Sequence, residues 1–330
     1  MAIKKELIKK IAQMYAEDTC SQRDIASQLK LSQSTVSRYI RQGMKTGIIS
    51  RNLSFKRPGE LMGRRELIRE KYNLKEVIIA HYPNLASSTG ISSFEILGEA
   101  AAQYVEKALK SGMRVLVSHG RSVYHTITPL IQKRMELDIH PLTLVRGLGI
   151  DSGKIPAWVN AAGLGTKFWM DQKWDQVIPQ YLKEEEGSSL IRNIEKMLDT
   201  PVVQEVLSKM RTADVILQGV GILHKEATFV RVARKIGIAY EEFERKGVVG
   251  SVCHTPIDAE GRPITLLGLD KLAITINLDR LRELSLDKNR HIILIAAGTE
   301  KLDIIETCLK SEYCNVLVTD EFVADGLASK

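Results

Sequence analysis

Paired metal-ligand spacing is absent from this chain. Its seven histidines form no H-x-x-H or H-x-x-x-H cluster. Its four cysteines, Cys20, Cys253, Cys308 and Cys314, stand singly rather than as C-x-x-C pairs. No metal site and no disulfide scaffold are therefore expected, and the cysteines read as reduced, buried thiols of a cytosolic protein. No run of about 18 apolar residues occurs, so no membrane span is expected. The first ten residues, MAIKKELIKK, lack the apolar stretch of a signal peptide, and a cytoplasmic location follows as an expectation. The phosphate loop G-x-x-x-x-G-K-[ST] is missing. Gly219-Val220-Gly221 lacks the third glycine of the dinucleotide fingerprint and a suitably spaced acid. No cofactor is expected.

What is present begins with an uneven charge. The chain has 330 residues, enough for two domains. Residues 1 to 57 carry 12 Lys/Arg against 4 Asp/Glu, a net of +8, whereas the remainder carries 35 against 36, a net of −1. A basic end on a near-neutral body points to one polyanion-binding module. Within that end, residues 21 to 44 read as two short helices meeting at a tight turn. Ser21 and Ser32 are placed to cap them. Ile25, Ala26 and Leu29 form one apolar stripe, Val36 and Ile40 another, and Lys30-Leu31 the turn. Lys30 stands where the backbone tends to be left-handed and glycine is usual. Gln33, Ser34, Thr35, Ser37, Arg38 and Arg41 are left outward, with Gln22 and Arg23 on the preceding helix. Such a face suits base edges in the major groove of double-stranded DNA better than lipid, so operator DNA is the expected partner and no membrane is. A solvated helical hairpin would show the same pattern. The amphipathic stretch 3 to 15 can roof the pair, and Thr46 to Arg51 reads as a turn and short strand, a wing carrying Arg51 to a phosphate.

Phe55-Lys56-Arg57-Pro58-Gly59 reads as a linker, followed by helical periodicity over residues 60 to 73. The expected division is 1–56 as an all-α, winged helix-turn-helix DNA-binding domain, 57–74 as a connecting helix, and 75–330 as an α/β effector domain. From Glu76 short apolar runs, the third of them 142 to 145 and a later one 273 to 277, read as strands alternating with helical stretches, which predicts a mostly parallel sheet covered on both faces. Residues 151 to 187, with Trp158, Phe168, Trp169 and Trp174, read as a loop-rich excursion. Ligands of such sheets sit where strand ends give way to loops and helix N-termini. Four loops qualify. Ser118-His119-Gly120-Arg121-Ser122 offers exposed N–H groups and a guanidinium for an anion. Gly298-Thr299-Glu300-Lys301 puts a cation in a first helical turn, where the dipole opposes it unless an anion joins. Gly219-Val220-Gly221 and Arg146-Gly147 follow strands in the same way. Each loop is also compatible with a plain strand-to-helix turn. His119 and His224 read as singletons, structural or ligand-bonding rather than catalytic.

Taken in order, these segments resemble the SorC/DeoR-type family of sugar-responsive transcription regulators. Ser118 to Ser122 is similar to that family's S-x-G-[RT]-[ST] phosphate loop, with His119 where Trp or Gly is more usual. Asp214 to Gly221, Gly247 to Gly250 with Ile257 to Gly261, Ala296 to Lys301 and Asn315 to Glu321 resemble its later motifs. The resemblance implies a fold similar to ribose-5-phosphate isomerases and glucosamine-6-phosphate deaminases, regulation of a carbohydrate-catabolism operon, a phosphorylated sugar or polyol effector, and a homodimer or homotetramer. It also implies phosphate held by Ser118, Gly120, Arg121 and Ser122, with Lys301 at the floor of the site. Arg146-Gly147 replaces a Gly-Gly pair, and Ala297 replaces the first Gly of A-G-G. The alternative is a sugar-phosphate isomerase or deaminase carrying a DNA-binding end. Leu223 stands near the place of the deaminase acid, and no catalytic set can be named.

Overall fold

The structure is a computed structural model that describes residues 11, 22–32, 35–36, 38–39, 58–81, 92–132, 140–143, 145–147, 187–266, 269 and 273–330. In the basic end, α1 spans Gln22–Gln28. Ile25 and Ala26 are buried on it, and Val36 and the helical Ile11 are fully buried. Lys30 is left-handed, with φ of 52°, and the chain turns there through a Leu31 N–H to Ala26 carbonyl bond of 2.9 Å. Ser32 Oγ accepts from the Thr35 N–H at 3.1 Å, which caps the second helix as expected. Two helices at a left-handed turn are thus formed by the residues anticipated. The expected cap at Ser21, the inward Ile40, the wing at 46 to 51 and all of the 151 to 187 stretch but Gly187 fall outside the described residues.

The body contains α2 (Pro58–Lys71), β1 (Glu76–Ala80), α3 (Ser93–Ala108), β2 (Arg114–Val117), α4 (Arg121–Gln132), β3 (His140–Thr143) and β4 (Val145–Gly147). It continues with α5 (Gly187–Leu198), α6 (Pro201–Met210), β5 (Val215–Gln218), β6 (Val220–Ile222), α7 (Thr228–Arg234) and α8 (Tyr240–Arg245). β7 (Gly250–Val252), β8 (Thr255–Ile257), β9 (Ala273–Thr275), α9 (Leu278–Leu286), β10 (His291–Ile295), α10 (Leu302–Lys310), β11 (Val316–Asp320) and α11 (Glu321–Ser329) complete it. Six strands form one parallel sheet in the order β1-β11-β10-β5-β2-β3. Period-two alternation splits its side chains between two cores. Val115, Val117, Val215, Leu217, Ile293 and Ile295 face α3 and α4. Leu116, Ile216, Ile292, Leu294 and Leu317 face the opposite layer, which includes Ile68 of α2 and Phe243 of α8.

Three readings need correction. Pro58 and Gly59, expected in a linker, open α2; proline fits a first helical turn because its missing N–H has no partner there. α2 packs on the body, with Ile68 fully buried, Arg64 paired to Asp325 at 2.8 Å and Lys71 Nζ on the Leu327 carbonyl at 3.1 Å. The third expected strand, 142 to 145, is two: β3 stays in the main sheet, while β4 leaves it to pair antiparallel with β9. The expected strand 273 to 277 is that β9, ending before Asn277 caps α9.

Two contacts fix the layer that carries α4. Gly98 of α3 lies so close to α4 that a Cβ there would stand 2.4 Å from the His125 carbonyl carbon. At the N-terminal edge of the sheet, His291 Nδ1 lies 2.8 Å from the Tyr104 hydroxyl of α3 and Nε2 lies 3.2 Å from Lys75 Nζ. Lysine can only donate, so Nε2 accepts and Nδ1–H donates to Tyr104. Burial, helped by Lys75 and Lys110, lowers the His291 pKa to about 4.

Gly98→Ala is expected to destabilise the protein by about 1–3 kcal/mol, since backbone rather than a flexible side chain must yield; urea unfolding measures it. A histidine held neutral in the fold protonates first in the unfolded chain. Stability is therefore full above about pH 6.5 and declines as pH falls toward about 4. Thermal melts across that window should show the decline, and His291→Gln should make it shallower.

Candidate functional site

β2, β5 and β10 lie side by side, and the chain leaves their C-terminal ends in different directions. β2 leads to β3 on one flank, whereas β5 leads outward through β10 and β11 on the other. A crevice forms where such connections diverge. A cavity of about 230 Å³ opens there. Its walls come from the ends of all three strands: Ser118 to Val123 after β2, Gly219 to Ile222 after β5, and Lys301 after β10. Phe94 at the start of α3, Thr228 and Phe229 of α7, and Ser251, Cys253 and His254 of the β7–β8 hairpin close it.

One end of the cavity is built for an anion. Gly120 has φ of 107°, open to glycine but strained for other residues. Its carbonyl accepts from the Tyr124 N–H at 3.0 Å, making Gly120 the cap of α4. The N–H groups of Arg121, Ser122 and Val123 then precede the first intrahelical bond and have no carbonyl in the helix to meet. Arg121 lays its guanidinium 4.1 Å from the centre of the Phe94 ring. Lys301 ends a short 3-10 turn, Thr299–Lys301, and caps α10. Burial lowers its pKa; Glu300 opposes this and Arg121 adds to it. Among the described residues neither Arg121 nor Lys301 forms an ion pair.

The structure brings together Ser118, His119, Gly120, Arg121, Ser122, Gly219, Gly221 and Lys301 of the expected effector residues. Three do not line the cavity. Arg146 and Gly147 are β4 residues paired with Ile274 and Ala273, not a strand-to-helix loop. Gly298 shapes the turn with φ of 103°, but its N–H is taken by Asp320 Oδ2 at 2.9 Å. Gly219 to Gly221 also depart from the expected loop, since β6 pairs antiparallel with β7 and Gly221 lies opposite Ser251. The Ser118 N–H is occupied by the Leu217 carbonyl at 2.9 Å, and its hydroxyl donates to the His119 carbonyl at 3.3 Å.

The sequence reading missed the other wall. His119 is no singleton: its ring centre lies 4.5 Å from that of His254, with the two Nε2 atoms 3.1 Å apart. Burial lowers the His119 pKa to about 4 and the His254 pKa well below its ordinary value, with His119 adding to the second shift. Gln218 floors this wall, donating to the Tyr313 carbonyl at 2.8 Å and accepting from Cys253 Sγ at 3.2 Å. No spacing rule links positions 119 and 254, so only the fold reveals them. His224 lines the cavity at an exposed position.

In the basic end, Gln22 and Arg23 open α1. Thr35 and Arg38 are helical, with Arg38 exposed and the Thr35 hydroxyl 2.7 Å from Ser32 Oγ. Gln33, Ser34, Ser37, Arg41 and Arg51 lie outside the described residues. Among the described residues, no helix is long and apolar enough to cross a membrane.

Comparison with known proteins matches residues 56–328 to the family "Putative sugar-binding domain" and residues 11–50 to "Winged helix-turn-helix DNA-binding". The deoxyribonucleoside regulator of Bacillus subtilis is 27% identical over 99% of this chain and 98% of its own. The sorbitol operon regulator of Klebsiella pneumoniae is 25% identical over 97% of each. The solved full-length structure of that regulator, SorC, superposes with a TM-score of 0.62 at 21% identity, covering 98% of this chain and 99% of the other. With the family match spanning most of its length behind a winged helix-turn-helix, the chain belongs to the SorC/DeoR-type family of sugar-binding transcriptional regulators.

Proposed function

We propose that the cavity holds a phosphorylated sugar or polyol and that its occupancy changes the grip of the basic end on operator DNA. One observation carries the reading. Two cations, Arg121 and Lys301, and the open N–H groups of α4 converge on one cavity without an ion pair among the described residues. A desolvated ammonium without a partner is costly to a fold, and a ligand phosphate supplies the missing charge. In this reading Ser118, Gly120, Arg121, Ser122 and Lys301 hold phosphate, and His119, Gly219 and Gly221 bound the carbon part. The related deoxyribonucleoside and sorbitol operon regulators fit an effector of carbohydrate or polyol type, and a carbohydrate-catabolism operon is the corresponding target.

Residues 1–56 act as the DNA-binding domain, 57–74 as the connection and 75–330 as the effector domain. Gln22, Arg23, Gln33, Ser34, Thr35, Ser37, Arg38 and Arg41 face bases or phosphates, and Arg51 meets a phosphate from the wing. The protein works in the cytoplasm as a homodimer or homotetramer, since a change in the spacing of two modules alters the match to paired half-sites. It binds its ligand without turning it over. The buried imidazoles are weak bases, with His119 near 4, and the relatives are regulators rather than isomerases.

Gel retardation at fixed salt tests the whole. The protein should retard its own promoter region, and one phosphorylated sugar or polyol should alter that retardation by about tenfold in concentration. Retardation indifferent to every such compound would refute the switch. Arg38→Ala should weaken operator binding by about 1–3 kcal/mol if Arg38 reads a base. Lys301→Met should abolish the thermal stabilisation given by phosphosugars. Without ligand its melting point should equal or exceed that of the wild type, because the substitution removes a desolvated charge.

A further inference from the structure

The β7–β8 hairpin turns on Cys253 and His254, with φ of 50° and 64°. Two successive left-handed residues make the two-residue hairpin turn that Asn and Gly fill without strain. Each other side chain there costs roughly 1–2 kcal/mol. Cys253 has a role in the fold, since its buried thiol donates to Gln218 Oε1. His254 has no comparable one. Its Nε2 meets His119, whereas its Nδ1 is buried and has no hydrogen-bond partner among the described residues. A buried polar atom left unpaired costs roughly 1–3 kcal/mol. Backbone strain and an unmet nitrogen therefore coincide on one residue, and that residue lines the ligand cavity. Costs of this kind persist where a bound state removes them.

We propose that His254, acting with His119, is the specificity-determining pair of the cavity and binds an uncharged oxygen of the effector's carbon chain, a hydroxyl or a carbonyl. The proposal rests on the effector reading given above. Each neutral imidazole offers one N–H and one lone pair. A hydroxyl set between the two rings can accept from one and donate to the other. That exchange replaces the His–His contact and frees the His254 ring to turn and pair its second nitrogen. An effector lacking that oxygen leaves the His–His contact in place and the His254 Nδ1 unmet, so the pair rejects deoxy analogues more strongly than it rejects changes of chain length. Charge and selectivity are thus divided: Arg121, Lys301 and the α4 N–H groups take the phosphate, and the histidines choose what carries it.

The experiment uses the full chain and two variants, His254→Gly and His254→Asn, both of which suit a left-handed turn. Calorimetry and thermal shift are run with inorganic phosphate and with a panel of phosphorylated aldoses, ketoses, polyols and their deoxy analogues. Wild type should separate its preferred ligand from the deoxy analogue by about tenfold or more. Both variants should bind inorganic phosphate as wild type does, lose about tenfold or more for the preferred ligand, and no longer distinguish the deoxy analogue. Their unliganded melting points should match or exceed that of wild type, since strain is relieved. An unchanged ranking in both variants would overturn the proposal, and so would an equal loss for inorganic phosphate and sugars. Failure of the wild type to bind phosphate or any phosphosugar would instead overturn the effector reading.

Discussion

A parallel sheet gathers the ends of its strands along one edge, and the N-termini of the following helices arrive at the same edge. Here that constraint concentrates positive potential. The first N–H groups of α4, the Arg121 guanidinium and the Lys301 ammonium share one cavity, and burial already lowers the lysine. Glu300 offsets the lysine only in part, and no ion pair joins either cation to a described residue. The arrangement persists because the two cores behind it are rigid: each of β2, β5, β10 and β11 buries alternate side chains in opposite layers. Gly98 lets α3 and α4 approach so closely that the start of α4 is held in place.

The architecture was largely legible in the chain. Val115, Leu116 and Val117, and likewise Ile292 to Ile295, read as continuous apolar runs because a doubly covered strand has no wet side. The helix-turn-helix was legible too, down to Ser32 as a cap and the left-handed Lys30. The cationic half of the cavity could be read because glycine and a cation at a strand end leave a local signature. The errors at the two glycine loops share one cause. Arg146-Gly147 and Gly219-Val220-Gly221 have the composition of turns, but their partners, β9 and β7, lie far along the chain. Antiparallel pairing at that distance leaves no trace in a local window. The same holds for the histidine pair, which one hairpin residue and one loop residue create only once the sheet has closed.

The two halves of the cavity differ in physical character. The anion end relies on charge and is weakened by salt and by competing anions. The histidine end relies on neutral hydrogen bonds in a dewatered wall, which are weak in water and discriminating when buried.

Asp320 joins elements that the chain keeps apart. One carboxylate oxygen holds the Gly298 amide at 2.9 Å and the other holds the Val323 amide at 2.8 Å, so the turn bearing Lys301 and the last helix hang from a single side chain. That helix is clamped by Arg64 and Lys71 to α2, the stem next to the basic end. A tug on Lys301 therefore meets stiff linkage rather than slack rope, with one ion pair and one lysine–carbonyl bond riveting the last helix to the stem.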